Sequence, residues 1–291
     1  MTIAATPIVV TGTTGHLGRL VVDSLLARGV VAADIVAIGR SAEKLADVAS
    51  TGVRTAIADY SDRASLDVAF AGAGSLVLVS GSEVGQRVQQ HSNAIDAAVD
   101  AGISRVVYTS APHATTSALV LAPEHKATEE YLASTGVAST VLRNNWYSEN
   151  YATDVERSGE SGVLLSSTGD GRVASASRAD YADAVAAVLT TDGHEGAVYE
   201  LSGDIAWSYD ELAAAIAEIS GTPVEWKNVS AEEHVAILIG AGLDEGTAGF
   251  VVALDGNIRD GLLAETSGDL ARLIGRPTTP LIDGLRAATS N

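Results

Sequence analysis

The chain has no cysteine, one methionine, two phenylalanines and three lysines (Lys44, Lys126 and Lys227). Without cysteine there is no disulfide, no thiolate nucleophile and no cysteine-ligated zinc or iron–sulfur centre, and a cytoplasmic location is the expectation. Basic residues are also scarce, 18 against 37 acidic ones, which leaves a net charge of −19. Such a surface repels nucleic acid, and no local basic cluster relieves it, so no nucleic-acid partner is expected. No apolar run approaches the roughly 18 residues that a membrane helix needs. The stretch VAILIGAGL at 235–243 is far too short, and the N-terminal MTIAATPIVV lacks the basic opening of a signal peptide. The six histidines are scattered with no pair four residues apart, so no metal site is expected. What is present is 46% hydrophobic residues in 291, enough for one large α/β domain or two unequal ones.

Strand and helix signals alternate from the start. Short apolar runs at 8–10, 34–39, 53–59, 75–80, 105–111 and 139–144 read as buried parallel strands, with helical spacing between them. The helix at 86–102 ends on glycine. This alternation predicts a Rossmann-type, doubly wound parallel sheet of the α/β class. After Asn144 the rhythm changes. A nucleotide-binding domain over 1–145, with returning segments near 172–203, and a smaller C-terminal α/β substrate lobe over 146–291 are expected. Ser208 and Glu211 form a capping box ahead of a clear helix. Trp207 before it reads as a hydrophobic staple, and Asp180, Tyr181 and Asp183 as an exposed helical face.

VVTGTTGHLGRL at 9–20 places Gly12, Gly15 and Gly18 between a strand and a helix, with a second strand ending at Arg40. Gly12 permits a tight turn, Gly15 lets backbone approach a pyrophosphate, and Gly18 lets the helix pack closely. The unpaired N–H groups and dipole of a helix start favour an anion there. The residue after the second strand selects the nucleotide: an acid would bind a ribose 2′-hydroxyl, whereas Arg40 can fork onto a 2′-phosphate. NADPH is therefore the expected cofactor.

The T-G-x-x-G-x-x-G spacing resembles the extended and atypical short-chain dehydrogenase/reductases in their NmrA-like branch. SGSEVGQR (80–87), LRNNWYSENY (142–151), ASASRADYA (174–182), GHEGAVYELSGD (193–204) and LIGRPTTPL (273–281) narrow the likeness to the bacterial NADPH:quinone oxidoreductases of type two, with triphenylmethane reductases as relatives. The resemblance runs end to end. It implies that Gly12, Thr13, Thr14, Gly15, His16 and Leu17 wrap the pyrophosphate and that Arg40 takes the 2′-phosphate. Asp59 and Tyr60 would flank the adenine, and Ser80, Gly81 and Ser82 would pass beneath the nicotinamide ribose. Thr109, Ser110, Asn144 and Trp146 would complete the nicotinamide end. Gly81 stands where serine is expected in close relatives.

Members of that superfamily commonly protonate a carbonyl with tyrosine, helped by lysine four residues on. Four residues before Lys126 stands Ala122, so the pair is absent. Tyr108 lies inside a strand and reads as core. The absence is informative. Reducing a simple ketone leaves an alkoxide whose acid has a pKa near that of water, about 15.7. Reducing a quinone leaves a phenol-like anion near about 10, so roughly 8 kcal/mol less anion stabilisation is required. A small, neutral aromatic or quinone substrate fits this best. Trp146, Tyr147, Asn150 and Tyr151 supply stacking faces and amide donors for such a molecule. His113 and Tyr147 are the candidate proton donors, with a solvated loop position the competing reading of His113. Two further functions stay open: a nucleotide-binding redox sensor without turnover, and a ketone or imine reductase with a non-standard acid. Association into a homodimer stays open too.

Overall fold

The computed structural model describes residues 6–289. The chain divides into two compact units. The first is built from the chain up to Thr115, Pro123–Asn144 and Arg178–Glu200; the second from Thr116–Ala122, Asn145–Ser177 and the chain from Leu201 onward.

In the first unit β1 (Ile8–Val10), α1 (His16–Ala27), β2 (Ile35–Gly39), α2 (Ala42–Ala49), β3 (Arg54–Ile57) and α3 (Arg63–Phe70) follow one another. Next come β4 (Ser75–Leu78), α4 (Arg87–Asp100), β5 (Arg105–Ser110), α5 (Ala122–Ser134) and β6 (Ala138–Asn144). The chain then forms α6 (Ala152–Ser161), β7 (Val163–Ser166) and β8 (Arg172–Val173) of the second unit before α7 (Arg178–Thr190) and β9 (Val198–Leu201) rejoin the first.

The seven-stranded sheet has the order β3-β2-β1-β4-β5-β6-β9. Each registered pair is parallel, Val9 lying opposite Val36 on one side and Leu76 on the other. Val141 N and Asn145 N donate to Ala197 O and Leu201 O, so β9 runs in the same direction. Strands buried on both faces explain the uninterrupted apolar runs. Val9, Ile38, Leu76, Ile95, Tyr108 and Leu132 sit in one apolar cluster. The strand order reverses between β1 and β4, and a ligand of such a sheet binds beyond the carboxyl ends of the strands at that reversal.

Helix α7 corrects the expectation of an exposed face. It packs along α1, with Asp180 and Tyr181 wholly buried and Asp183 paired with Arg28 at 2.8 Å. The sequence RADYADAVAAVLT is small and apolar almost all round, which suits a helix enclosed on several sides.

The second unit carries two small sheets, β10 (Trp207–Ser208) antiparallel to β8 and β11 (Glu225–Asn228) parallel to β7. Around them lie α8 (Tyr209–Ser220), α9 (Ala231–Gly240), α10 (Glu245–Arg259), α11 (Asp269–Ile274) and α12 (Leu281–Thr289). The capping box of Ser208 and Glu211 forms as expected. Trp207 is a strand residue whose indole N–H donates to Ser175 Oγ at 2.9 Å, so it belongs to the core of this unit. Among the described residues no helix is long and apolar enough to cross a membrane.

Candidate functional site

The turn after β1 is shaped by its glycines. Gly12 has φ +64°, a left-handed conformation that favours glycine. A Cβ on Gly18 would lie 2.4 Å from Gly12 O and 2.8 Å from Thr11 O, so α1 rests directly on the backbone of the turn. The threonines point away. Thr13 Oγ1 and Thr13 N both donate to Ile38 O at 2.9 Å, and Thr11 Oγ1 donates to Val77 O at the same distance. These bonds stitch the turn to β2 and β4. Thr13, expected to wrap the pyrophosphate, is 1% exposed, and its side chain is structural.

The start of α1 has no side-chain cap and no acidic residue in its first turn. By contrast α2, α3, α8, α9 and α10 each begin on a serine or aspartate that accepts from the helix's own backbone. A first turn of N–H groups kept clear of carboxylates and approachable through glycine is a fitting cradle for a diphosphate. Arg40, exposed just after β2, supplies the cation beside it; its Nη1 lies 2.8 Å from Glu83 and 4.0 Å from Asp59. The residues present therefore fit a phosphorylated dinucleotide.

Tyr60 is a brace. Its hydroxyl lies 2.6 Å from both Thr11 Oγ1 and Val79 O, leaving only its ring for a ligand. Burial raises its pKa above the ordinary phenol value.

The segment after β4 is pinned from below. Ser80 N donates to Thr109 Oγ1 and Gly81 N donates to His91 Nε2, both at 2.9 Å. Arg87 Nε donates to Gly81 O at 2.8 Å and pairs with Glu124. Because Nε2 of His91 accepts, the ring is neutral and carries its proton on Nδ1, which faces Thr128 Oγ1 at 3.0 Å. Thr128 in turn donates to Glu124 O. Burial, with His125 and Arg87 adding to it, pushes His91 down to about 3. His125 meets the hydroxyl of buried Tyr108 at 2.8 Å and is also pushed down to about 3, by burial and Arg87. Sequence reasoning found no role for these two histidines; only the fold brings His91 beneath Gly81. A Cβ at Gly81 would lie 3.3 Å from Gln90 Oε1, so the serine expected there from the resemblance would need only a small adjustment.

Beyond β5 and β6 the carboxyl edge is charged. Ser110 Oγ donates to Glu129 at 2.6 Å. Arg143 bonds Glu129 through two nitrogens (2.6 and 3.0 Å) and Glu200 through a third at 2.7 Å. These partners raise the Arg143 pKa further. Glu200 also accepts from His113 N at 3.0 Å and lies 3.3 Å from His113 Nδ1. His113 is the one non-glycine with positive φ among the described residues, at +46°. It remains a turn residue with its side chain 38% exposed, as the loop reading expected, and Glu200 anchors it there.

The aromatic block belongs to the second unit from Asn145 on, and Asn144 ends β6 of the first. Asn145 bonds Leu201 O, Leu263 O and Trp146 N, so its groups hold the fold. Trp146 and Tyr147 are half-buried and Asn150 is exposed. Tyr151, expected to face substrate, is 5% exposed. It packs edge-on against Trp207 and Tyr209 with centroids 5.0 and 6.2 Å apart, so it supports the block from inside. Ser167, His234 and Asp255 also meet there, but Ser167 Oγ and Asp255 Oδ2 both approach the same nitrogen, Nδ1, at 3.2 and 3.0 Å. A relay needs the two opposite nitrogens, so this trio is structural. No group of three or more acids or histidines among the described residues is placed to hold a metal.

A doubly wound sheet with a glycine turn, an uncapped helix start and a basic residue after β2 defines a dinucleotide-binding α/β protein. The comparisons make this specific. The chain belongs to the NAD(P)H-binding family, whose model matches residues 12–192. It is 46% identical over 278 residues to quinone oxidoreductase 2 of Escherichia coli strain K12, covering 96% of this chain and 97% of that one. The crystal structure of the NADPH-dependent quinone oxidoreductase of Escherichia coli complexed with NADPH matches with a TM-score of 0.91 and 45% identity, over 96% of this chain and 99% of that one. The triphenylmethane reductase of Citrobacter sp. complexed with NADP(H) matches equally well, TM-score 0.91, at 39% identity over 97% and 99%.

Proposed function

We propose that the protein is an NADPH-dependent oxidoreductase that reduces quinones. The observation that carries this is the uncapped start of α1 beside Arg40, in a chain matched along its whole length by an NADPH-dependent quinone oxidoreductase. When bound, NADPH supplies the two electrons and one hydrogen of the reduction.

The chain's own residues then have assignable tasks. The turn Gly12–Leu17 wraps the pyrophosphate, which the backbone N–H groups at the start of α1, His16 and Leu17, bind, and Arg40 takes the 2′-phosphate. Asp59 and the ring of Tyr60 flank the adenine. Ser80, Gly81 and Ser82, held by Thr109 and His91, are assigned to the nicotinamide ribose, and Ser110, Asn144 and Trp146 are assigned to the nicotinamide on the strength of the resemblance. Trp146, Tyr147 and Asn150 are assigned to a flat, neutral acceptor, which makes the second unit the substrate lobe.

Proton supply needs no strong acid here, since the product anion is phenol-like and water can protonate it. His113, anchored at backbone and ring by Glu200, and Tyr147 are the side chains we assign to that step. The acidic surplus speaks against a nucleic-acid partner, and a cytoplasmic location completes the reading.

The test is oxidation of NADPH with 1,4-benzoquinone, followed at the nicotinamide absorbance. Acceptor-dependent loss of signal is expected. No loss with any quinone, despite NADPH binding, would return the protein to a binding role only. Turnover of a saturated ketone abolished in Tyr147→Phe would point to a carbonyl reductase.

A further inference from the structure

We infer that Glu83 is a specificity-determining residue: it occupies Arg40 until a 2′-phosphate displaces it, and so sets how strongly NADPH is preferred to NADH. The inference rests on the assignment of Arg40 to that phosphate.

Glu83 is not a casual surface partner. One of its oxygens lies 2.8 Å from Arg40 Nη1 and the other accepts from Gln90 Nε2 at 3.0 Å. Gln90 is buried, and its amide also donates to Ser61 Oγ at 3.2 Å. The carboxylate is thus fixed from both sides, on the segment that carries Gly81, and it faces the guanidinium that follows β2. Asp59 stands 4.0 Å from the same guanidinium, with its other oxygen accepting from Ser61 N at 2.7 Å. Arg40 is therefore framed by two acids drawn from the ends of β3 and β4.

A phosphate arriving at Arg40 meets those two negative charges. A bidentate arginine–phosphate contact is stronger than an exposed carboxylate pair, so the phosphate wins, but only by the difference. An exposed pair such as Arg40–Glu83 changes an equilibrium constant by about fivefold at most, and relief of the like-charge contact adds to that. NADH brings no 2′-phosphate, so for it the pair stays closed and costs nothing. Glu83 thus lowers affinity for one coenzyme and leaves the other alone.

Calorimetric titration of the full-length wild type, Glu83→Gln and Arg40→Ala with NADPH, NADH and 2′,5′-ADP tests this at low salt. Glu83→Gln is expected to tighten NADPH and 2′,5′-ADP by roughly three- to tenfold and to leave NADH within about twofold. The gain should shrink as salt rises, because the charges are exposed. In the Arg40→Ala background the Glu83→Gln gain should fall below twofold. If Arg40→Ala removes the NADPH preference while Glu83→Gln fails to tighten NADPH, the competition is refuted and the phosphate assignment stands. If Arg40→Ala leaves the ratio of the two affinities unchanged, the phosphate assignment fails and the inference with it. Melting curves without nucleotide confirm that each variant is folded, and Glu83→Ala, which removes the charge by another route, must give the same direction.

Discussion

Alanine in place of glycine inside a helix usually stabilises, by about 1 kcal/mol, through helix propensity. Gly18 should reverse that sign. An added Cβ would lie 2.4 Å from Gly12 O, 2.5 Å from Gly12 C and 2.8 Å from Thr11 O, all backbone atoms that no rotamer can move aside. Overpacking costs about 1–3 kcal/mol, and three rigid contacts place this case near the upper end. Subtracting the propensity gain leaves a net loss of about 2 kcal/mol, equivalent to a melting temperature lower by roughly 4–8 °C. Relief requires α1 to rise off the turn, which misaligns the N–H cradle. Loss of one charge-assisted hydrogen bond weakens NADPH by roughly 10- to 100-fold. Gly249 is the internal control: it is exposed in mid-α10 with nothing within 4 Å of an added Cβ. Gly249→Ala should melt at a slightly higher temperature and bind NADPH as wild type. Differential scanning calorimetry and titration of both variants decide the matter. Gly18→Ala melting and binding like Gly249→Ala would refute the reasoning.

Three other outcomes follow from the same geometry. His91 and His125 are held near about 3 in the fold and rise toward the ordinary histidine value when unfolded, so the unfolded chain binds more protons below about pH 6.5. Stability should be full above that pH and fall toward pH 3 by roughly 1–3 kcal/mol per unit; a flat profile from pH 6.5 to 4 in denaturant titrations would contradict it. Burial, with Asp255 adding to it, pushes Asp154 up to about 6 against Arg157 and His234, so its charged form weakens the fold. Asp154→Asn should therefore raise the melting temperature above pH 6, with the advantage fading as pH falls toward 4, and an equal advantage at pH 4 would reject that cause. His113→Gly removes a side chain from a left-handed backbone that glycine adopts freely, so stability should hold or rise by up to about 1 kcal/mol while quinone kcat falls; unchanged kcat would remove His113 from the proton path.

The sheet was legible where its strands are buried on both faces: Ile8–Val10 and Ser75–Leu78 read as strands from composition alone, and the glycine spacing fixed where α1 begins. Arg40 stands exposed directly after β2, where the sequence placed it. The side-chain directions were not. Thr13 turns toward β2 and Tyr151 turns inward onto Trp207, choices made by packing partners 25 and 56 residues away in the chain. Residues that hold a distant backbone N–H left no local signal at all. His91 touches Gly81 N, and Glu200 touches His113 N, across separations no periodicity encodes. Asp180 and Tyr181 misled because an alanine-rich helix hides its charged residue as readily as it displays it.

The threading of the chain carries one more consequence. The first unit draws α7 and β9 from downstream of an excursion that begins after Asn144. A fragment ended at Asn144 would leave β6 as a raw sheet edge, strip the flank of α1 and orphan Arg28 from Asp183. Limited proteolysis or gene truncation at that junction should therefore yield an aggregating piece in place of a free-standing nucleotide binder. Swapping the second unit for that of a relative requires three grafts, Thr116–Ala122, Asn145–Ser177 and the chain from Leu201 onward, because a single splice would tear the scaffold it aims to keep.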